Sequence, residues 1–346
     1  MRSAREGFRP RAYALFAGVT LLALALCISA GSVGVPLTDT LHILWRALCG
    51  LPQQQGATDP AIILAVRLPR VLCVALSGAA LALGGGAMQG LLRNPLADGA
   101  TLGVASGASL GAVIAIAFGI TLPGLPMAGE TIMAMLFAFL SLLAVLGLAY
   151  RLDTSLATHT IILIGVVYSM FVSSALTLVL ALAPEKIRQI TFWTMGSLAA
   201  GNYPDALMLA LALLIFGGAL MLRARELNAF AIGEDTARHI GVDVRRVKLL
   251  VLVAVSALIG VCVSVGGTIS FVGLVIPHMA RMLAGPNHRR LLPACAFGGA
   301  VFLMFADLAA RTILSPLELP IGVVTSLVGA TLFVYIFYTT GRKGHA

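Results

Sequence analysis

Leu249-Leu-Val-Leu-Val-Ala-Val-Ser-Ala-Leu-Ile-Gly-Val-Cys-Val-Ser-Val265 carries no charge and no proline. Arg245, Arg246 and Lys248 precede it and Gly266-Gly267 follow it. About 20 apolar residues in an α-helix cross a bilayer core of about 30 Å, so this stretch fits a membrane span. The pattern recurs along the chain. Working outward, apolar stretches lie near 12–33, 61–82, 99–121, 131–150, 160–183, 206–222, 247–265, 268–283, 292–313 and 319–338. Of the 346 residues, 59% are apolar and 11% are charged, which leaves no length for a soluble domain. The sequence predicts an all-α polytopic membrane protein, a single transmembrane domain over 1–346 with ten helices.

Net charge is +9. In a soluble protein that would suggest nucleic acid; in a membrane protein it reports topology, because cytoplasmic loops collect Lys and Arg. With both termini cytoplasmic, six of the 23 basic residues (Arg46, Arg67, Arg70, Lys186, Arg188, Arg311) lie outside and 17 inside. The inner set includes Arg2, Arg5, Arg9 and Arg11, which precede the first apolar run; that run outlasts a usual signal-peptide core and reads as a retained span. The five cysteines show no CxxC pairing and read as small buried hydrophobes.

Small residues recur every four positions in Gly78, Ala82, Gly86, Gly90; in Gly103, Gly107, Gly111; and in Gly322, Ser326, Ala330. Such rows let helix backbones approach closely in lipid. Asn94-Pro95 and Pro277 read as breaks. Gly84–Gly86 leading to Pro95 parallels Gly266-Gly267 leading to Pro277, which suggests an inverted repeat of spans 2–5 and 7–10. Gly107-Ala-Ser-Leu-Gly111 matches G-x-S-x-G but lacks the preceding strand of a nucleophile elbow. There is no HExxH, and no lysine ends a P-loop. No catalytic or metal constellation emerges and no cofactor is implied; any ATP hydrolysis belongs to another chain.

The longest inner loop, within 226–243, carries apolar bulk at Leu227, Phe230 and Ile232, followed by Gly233-Glu234-Asp235-Thr236-Ala237-Arg238-His-Ile-Gly241. Asp235 or Thr236 is placed to cap a short helix that ends at Gly241. Apolar bulk in a polar region suggests a docking surface rather than a solvated connector.

Here the chain resembles a known family. Arg67-Leu-Pro-Arg70, Arg93-Asn-Pro-Leu-Ala-Asp98, the Gly233–Gly241 loop, Phe271-Val-Gly-Leu-Val-Ile-Pro-His278 and Glu318-Leu-Pro-Ile-Gly322 are similar, in order, to motifs of permeases of the iron-chelate and vitamin B12 class of ABC importers. The resemblance implies a type II importer permease fold in the cell inner membrane. It implies a non-catalytic subunit in a homodimer, with two ATP-binding cassette subunits below and a substrate-binding protein above, importing a ferric siderophore, haem or corrinoid.

The resemblance makes Leu227, Gly233, Glu234, Ala237, Arg238 and Gly241 the ATPase-coupling segment. It makes Asn94, Leu96, Thr158 and His159 a cytoplasmic gate, where His159 stands in place of a small hydroxyl residue. Tyr168, Ser169 and Ser173 become wall residues of the path. Arg67, Arg70 and Arg311 become partners for glutamates of the binding protein, the alternative being snorkelling to headgroups. An ion-coupled secondary transporter would need a carboxylate within a span. Asp307 alone approaches that, and an i,i+4 ion pair with Arg311 accounts for it more simply.

Overall fold

The computed structural model describes residues 7–31, 34–53, 59–121 and 128–343. Arg2 and Arg5, and the last two residues of the first expected span (32–33), lie outside these ranges. In chain order the helices are α1 (Pro10–Ser29), α2 (Leu37–Leu48), α3 (Asp59–Leu92), α4 (Val104–Phe118), α5 (Ala128–Leu152), α6 (Thr158–Leu182) and α7 (Ile187–Thr194). There follow α8 (Tyr203–Leu222), α9 (Ala224–Ile232), α10 (Glu234–His239), α11 (Val244–Gly266), α12 (Val272–Ala284), α13 (His288–Thr312) and α14 (Ile321–Lys343). Among the described residues seven are long and apolar enough to cross a bilayer, and α4, α12 and the Ile321–Ile336 part of α14 add three shorter apolar stretches. These match the ten expected spans. The sequence reading missed α2 and α7, short amphipathic helices at the end opposite the Lys/Arg-rich loops; that end is the outer one below.

Local chemistry sets several boundaries. Asn202 and Asp205 form a reciprocal capping box at the start of α8. Asp243 caps α11 through the Arg246 N–H and Asn287 caps α13 through the Arg289 N–H. Arg93, in the left-handed region at φ 50°, ends α3, so Asn94-Pro95 is a true break.

Pro277 is not a break: α12 runs through it. Proline lacks the N–H that would bond the carbonyl four residues back. Gln89 on α3 compensates, donating to the Gly273 and Leu274 carbonyls at 3.5 and 3.2 Å while its own carbonyl accepts from Arg281 at 2.9 Å.

The buried helix α3 is the axis of the bundle: its most apolar window is 89% buried, against 17% for α6 on the flank. The small-residue rows explain how α3 is packed. A β-carbon at Gly78 would strike the Gly299 carbonyl of α13, one at Gly85 the Gly273 carbonyl of α12, and one at Gly90 the His288 ring. The second row, Gly107 and Gly111, lies against α5, and Gly322 lies against the Met195 and Thr268 carbonyls.

Spans α4 and α12 share an uncommon form. Each is short, and each starts from a left-handed residue, Gly103 at φ 70° and Phe271 at φ 68°. Gly103 lies under Tyr168 of α6, and Phe271 lies over Gly329 of α14. The two are the third and the eighth of the ten spans in chain order.

Gly85→Ala should therefore cost about 1–3 kcal/mol by overpacking against backbone. Gly218→Ala, whose added β-carbon meets nothing within 4 Å, should be neutral or gain up to about 1 kcal/mol of helix propensity. Thermal melts of the detergent-purified protein check both; equal melting temperatures for the two variants would refute the close-packing account.

Candidate functional site

Three regions collect the residues singled out by sequence: an inner cluster, a mid-depth cavity and an outer charge cluster.

At the inner end, Asp153 opens the turn between α5 and α6. Its carboxylate accepts the Ser155 hydroxyl at 2.6 Å and the Ser155 and Ala157 N–H groups at 2.8 Å. These bonds, the Ser155 hydroxyl foremost, hold its pKa down at about 2. Leu156 is buried in a left-handed conformation at φ 52°, and its carbonyl accepts from Lys248 Nζ at 2.9 Å. Lys248 is fully buried. Its ammonium also lies 2.7 and 2.8 Å from the two oxygens of Glu234. Glu234 in turn accepts the Thr158 hydroxyl at 3.2 Å. The structure thus brings Thr158 and Glu234 together, whereas the sequence assigned them to separate sites. His159 is exposed in the first turn of α6. Asn94 and Leu96 close a turn of their own, the Asn94 side chain accepting the Leu96 N–H at 2.9 Å, with Leu96 exposed.

The expected inner loop is two helices, α9 and α10. Neither Asp235 nor Thr236 caps α10: it starts at Glu234 behind Gly233, whose φ of 145° only glycine adopts readily. It ends in a Schellman turn, with Val242 N–H on the Ala237 carbonyl and Gly241 N–H on the Arg238 carbonyl, both at 3.0 Å. Leu227, Phe230 and Ala237 are buried within the chain and so are not docking surface. The exposed face offers Asp235, Arg238 and Ile240, with Ile232 beside it.

A cavity of about 390 Å³ lies between α3, α4, α6, α7, α11 and the start of α12. Ser106, Ser109, Ser173, Thr194, Thr268 and Ser270 line it beside Val172, Ile259 and Phe271, together with one carboxylate residue, Asp98. Of the expected wall residues only Ser173 faces this cavity. Tyr168 turns away to share a hydrogen bond with Ser141 at 2.7 Å, and Ser169 bonds back to the Gly165 carbonyl.

The outer arginines form the third region. Arg67, Arg70 and Arg311 are buried, and their own chain holds them. Arg70 donates to Asp307 at 2.9 and 3.1 Å and to Glu318 at 2.9 and 3.1 Å. The Arg311 Nε lies 2.9 Å from Asp307, the expected i,i+4 ion pair, although its N–H is not aimed along a hydrogen bond. Arg311 also donates to the Cys27 and Ala30 carbonyls at 2.9 and 3.2 Å, and Arg67 to those of Ile28 and Ser29 at 3.1 and 2.8 Å. These carbonyls end α1. Such groups have no partner within the helix and sit at the negative end of its dipole. Within the chain the arginines cap α1 and join ion pairs. Sequence reasoning missed Lys248 and Glu318 because their partners stand 14 and 248 positions away, beyond any helical periodicity.

Ten apolar spans, half-length helices started from left-handed residues and a short helix standing off the inner end define the fold of an ABC importer permease. Comparison with known proteins agrees. The chain belongs to the FecCD transport family, whose profile matches residues 19–339. It is 40% identical to the uncharacterized ABC transporter permease protein YvrB of Bacillus subtilis, over 98% of this chain and 96% of that one. It is 37% identical to the hemin transport system permease protein HmuU of Yersinia pestis, over 91% and 93%. A solved chain described as a metal-chelate type ABC transporter in an inward-facing conformation superposes with a TM-score of 0.83, at 30% identity, over 96% of this chain and all of that one.

Asp307 is 1% exposed between two guanidiniums. Asp307→Asn should destabilise the protein by about 3–5 kcal/mol, because removing one partner strands buried charge. Denaturation in detergent measures this; a loss of partner affinity with no change in stability would favour the docking role instead.

Proposed function

We propose that this chain is the non-catalytic permease subunit of an ATP-driven importer of metal chelates. Two copies form a homodimer in the cell inner membrane, with both termini and α10 on the cytoplasmic side. Two ATPase subunits dock there, and a substrate-binding protein docks at the outer face. The observation that carries this reading is α10. It presents Asp235, Arg238 and Ile240 outward while Ala237 and Glu234 fix its other face to the spans. A short helix held in this way suits the transfer of a rigid-body movement.

The cargo we assign is a ferric siderophore or a related chelate such as haem or a corrinoid. Hydroxyl and apolar residues dominate the cavity wall, with Asp98 its one acidic residue, which gives a bulky chelate few strong contacts to hold it back. The hemin carriage named for HmuU fits this class. Asn94, Leu96, Thr158 and His159 serve as the inner gate, and Ser173, backed by Tyr168 and Ser169, belongs to the wall. An ion-driven carrier would rely on Asp307, which is already neutralised by Arg70 and Arg311.

Reconstitution with the cognate ATPase and binding protein tests the proposal. ATP inside proteoliposomes should drive uptake of at least one of ferric hydroxamate, haemin and cobalamin. Removing residues 233–241 should release the ATPase during purification. Uptake by the permease alone under an ion gradient would overturn the reading.

A further inference from the structure

Helix α10 is bounded by a glycine at each end. Gly233, at φ 145°, precedes it and Gly241, at φ 89°, follows it. A β-carbon at Gly241 would meet nothing within 4 Å, and one at Gly233 only the Thr236 hydroxyl at 3.6 Å. Buried Ala237 and the Schellman turn seat this helix, and a polar side-chain contact ties it further to the spans. That contact is made by the carboxylate of Glu234. It meets Lys248 of α11 through both oxygens and takes the Thr158 hydroxyl of α6. Lys248 reaches further, to the Leu156 carbonyl in the turn that leads into α6. That turn is itself stiff: Asp153 ties its N–H groups, and Leu156 is buried in a left-handed conformation.

We propose that Lys248 is the joint between the ATPase-facing helix and the inner gate, passing displacement of α10 to the first turn of α6 and so to Thr158 and His159. The inference rests on the permease reading above. Lys248 has no exposed surface, while Glu234 keeps 23% of its side chain exposed; the contact is shielded from the lysine side, where separating the charges is costly. Lys248 is a positioning residue. It touches neither the cavity lining nor the exposed face of α10.

The test compares wild type, Lys248→Met and the double variant Lys248→Met/Glu234→Met, each assembled with the cognate ATPase in proteoliposomes. The double variant strands no buried charge, which guards against simple misfolding. ATP hydrolysis and uptake are measured together, with whichever of ferric hydroxamate, haemin or cobalamin the wild type carries. Uptake per ATP should fall at least about tenfold in both variants while hydrolysis stays within about twofold, the mark of lost coupling rather than lost structure. A spin label at His159→Cys, in a Cys49→Ser background because Cys49 is the exposed one of the five thiols, reports on the gate without cargo. Its spectrum should change between nucleotide-free and ATP–vanadate states in wild type and stay fixed in Lys248→Met. A label that responds to nucleotide in Lys248→Met as in wild type would overturn the proposal, as would unchanged uptake per ATP or a parallel fall of hydrolysis and uptake in the double variant. A wild-type protein that binds no ATPase and whose label ignores nucleotide would instead overturn the permease reading, so the two failures are distinct.

Discussion

Hydrocarbon offers no water to an unpaired charge or a bare helix end. Both charged clusters of this protein follow from that constraint. Three arginines are buried at the end opposite the Lys/Arg-rich loops. Two of them supply donors to the terminal carbonyls of α1, and the third shares Asp307 and Glu318. At the inner end a fully buried lysine is tolerated because Glu234 and a backbone carbonyl surround its ammonium. The freed carbonyl opposite Pro277 shows the same rule on a neutral group, with Gln89 acting where the backbone cannot.

The spans were legible because a membrane helix announces itself over a short window, through length, apolarity and the charge of its flanks. The small-residue row at Gly78, Ala82, Gly86 and Gly90 was legible for the same reason, since its period is that of one helix face; the structure sets it against α13. The role of the arginines was not. Arg311 and Asp307 share a helix, so their pairing could be read from a spacing of four. The carbonyls of α1 and the carboxylate of Glu318 are brought to the guanidiniums by tertiary packing alone. Pro277 misled because proline breaks a helix only where nothing else meets the orphaned carbonyl, and Gln89 stands 184 positions away.

The inner site was half legible. The glycines that bound α10 were visible, as was the run of charges between them. What could not be read was that Glu234 turns back toward the bundle and that Leu227 and Phe230 face the protein interior. A single lysine at the mouth of an apolar span looks like any other cytoplasmic charge. Only its complete burial beside a carboxylate distinguishes Lys248 from Arg245 and Arg246, which precede it.

The two half-length spans carry one more implication. On one side glycine occupies the left-handed position and tyrosine stands over it; on the other, phenylalanine takes that position and glycine lies beneath. Bulk and void have changed places between the halves. Enlarging Gly329 while Phe271 remains, or filling Gly103 beneath Tyr168, would force two side chains into one volume. Substitution at one position of each pair should therefore require a compensating change at the other.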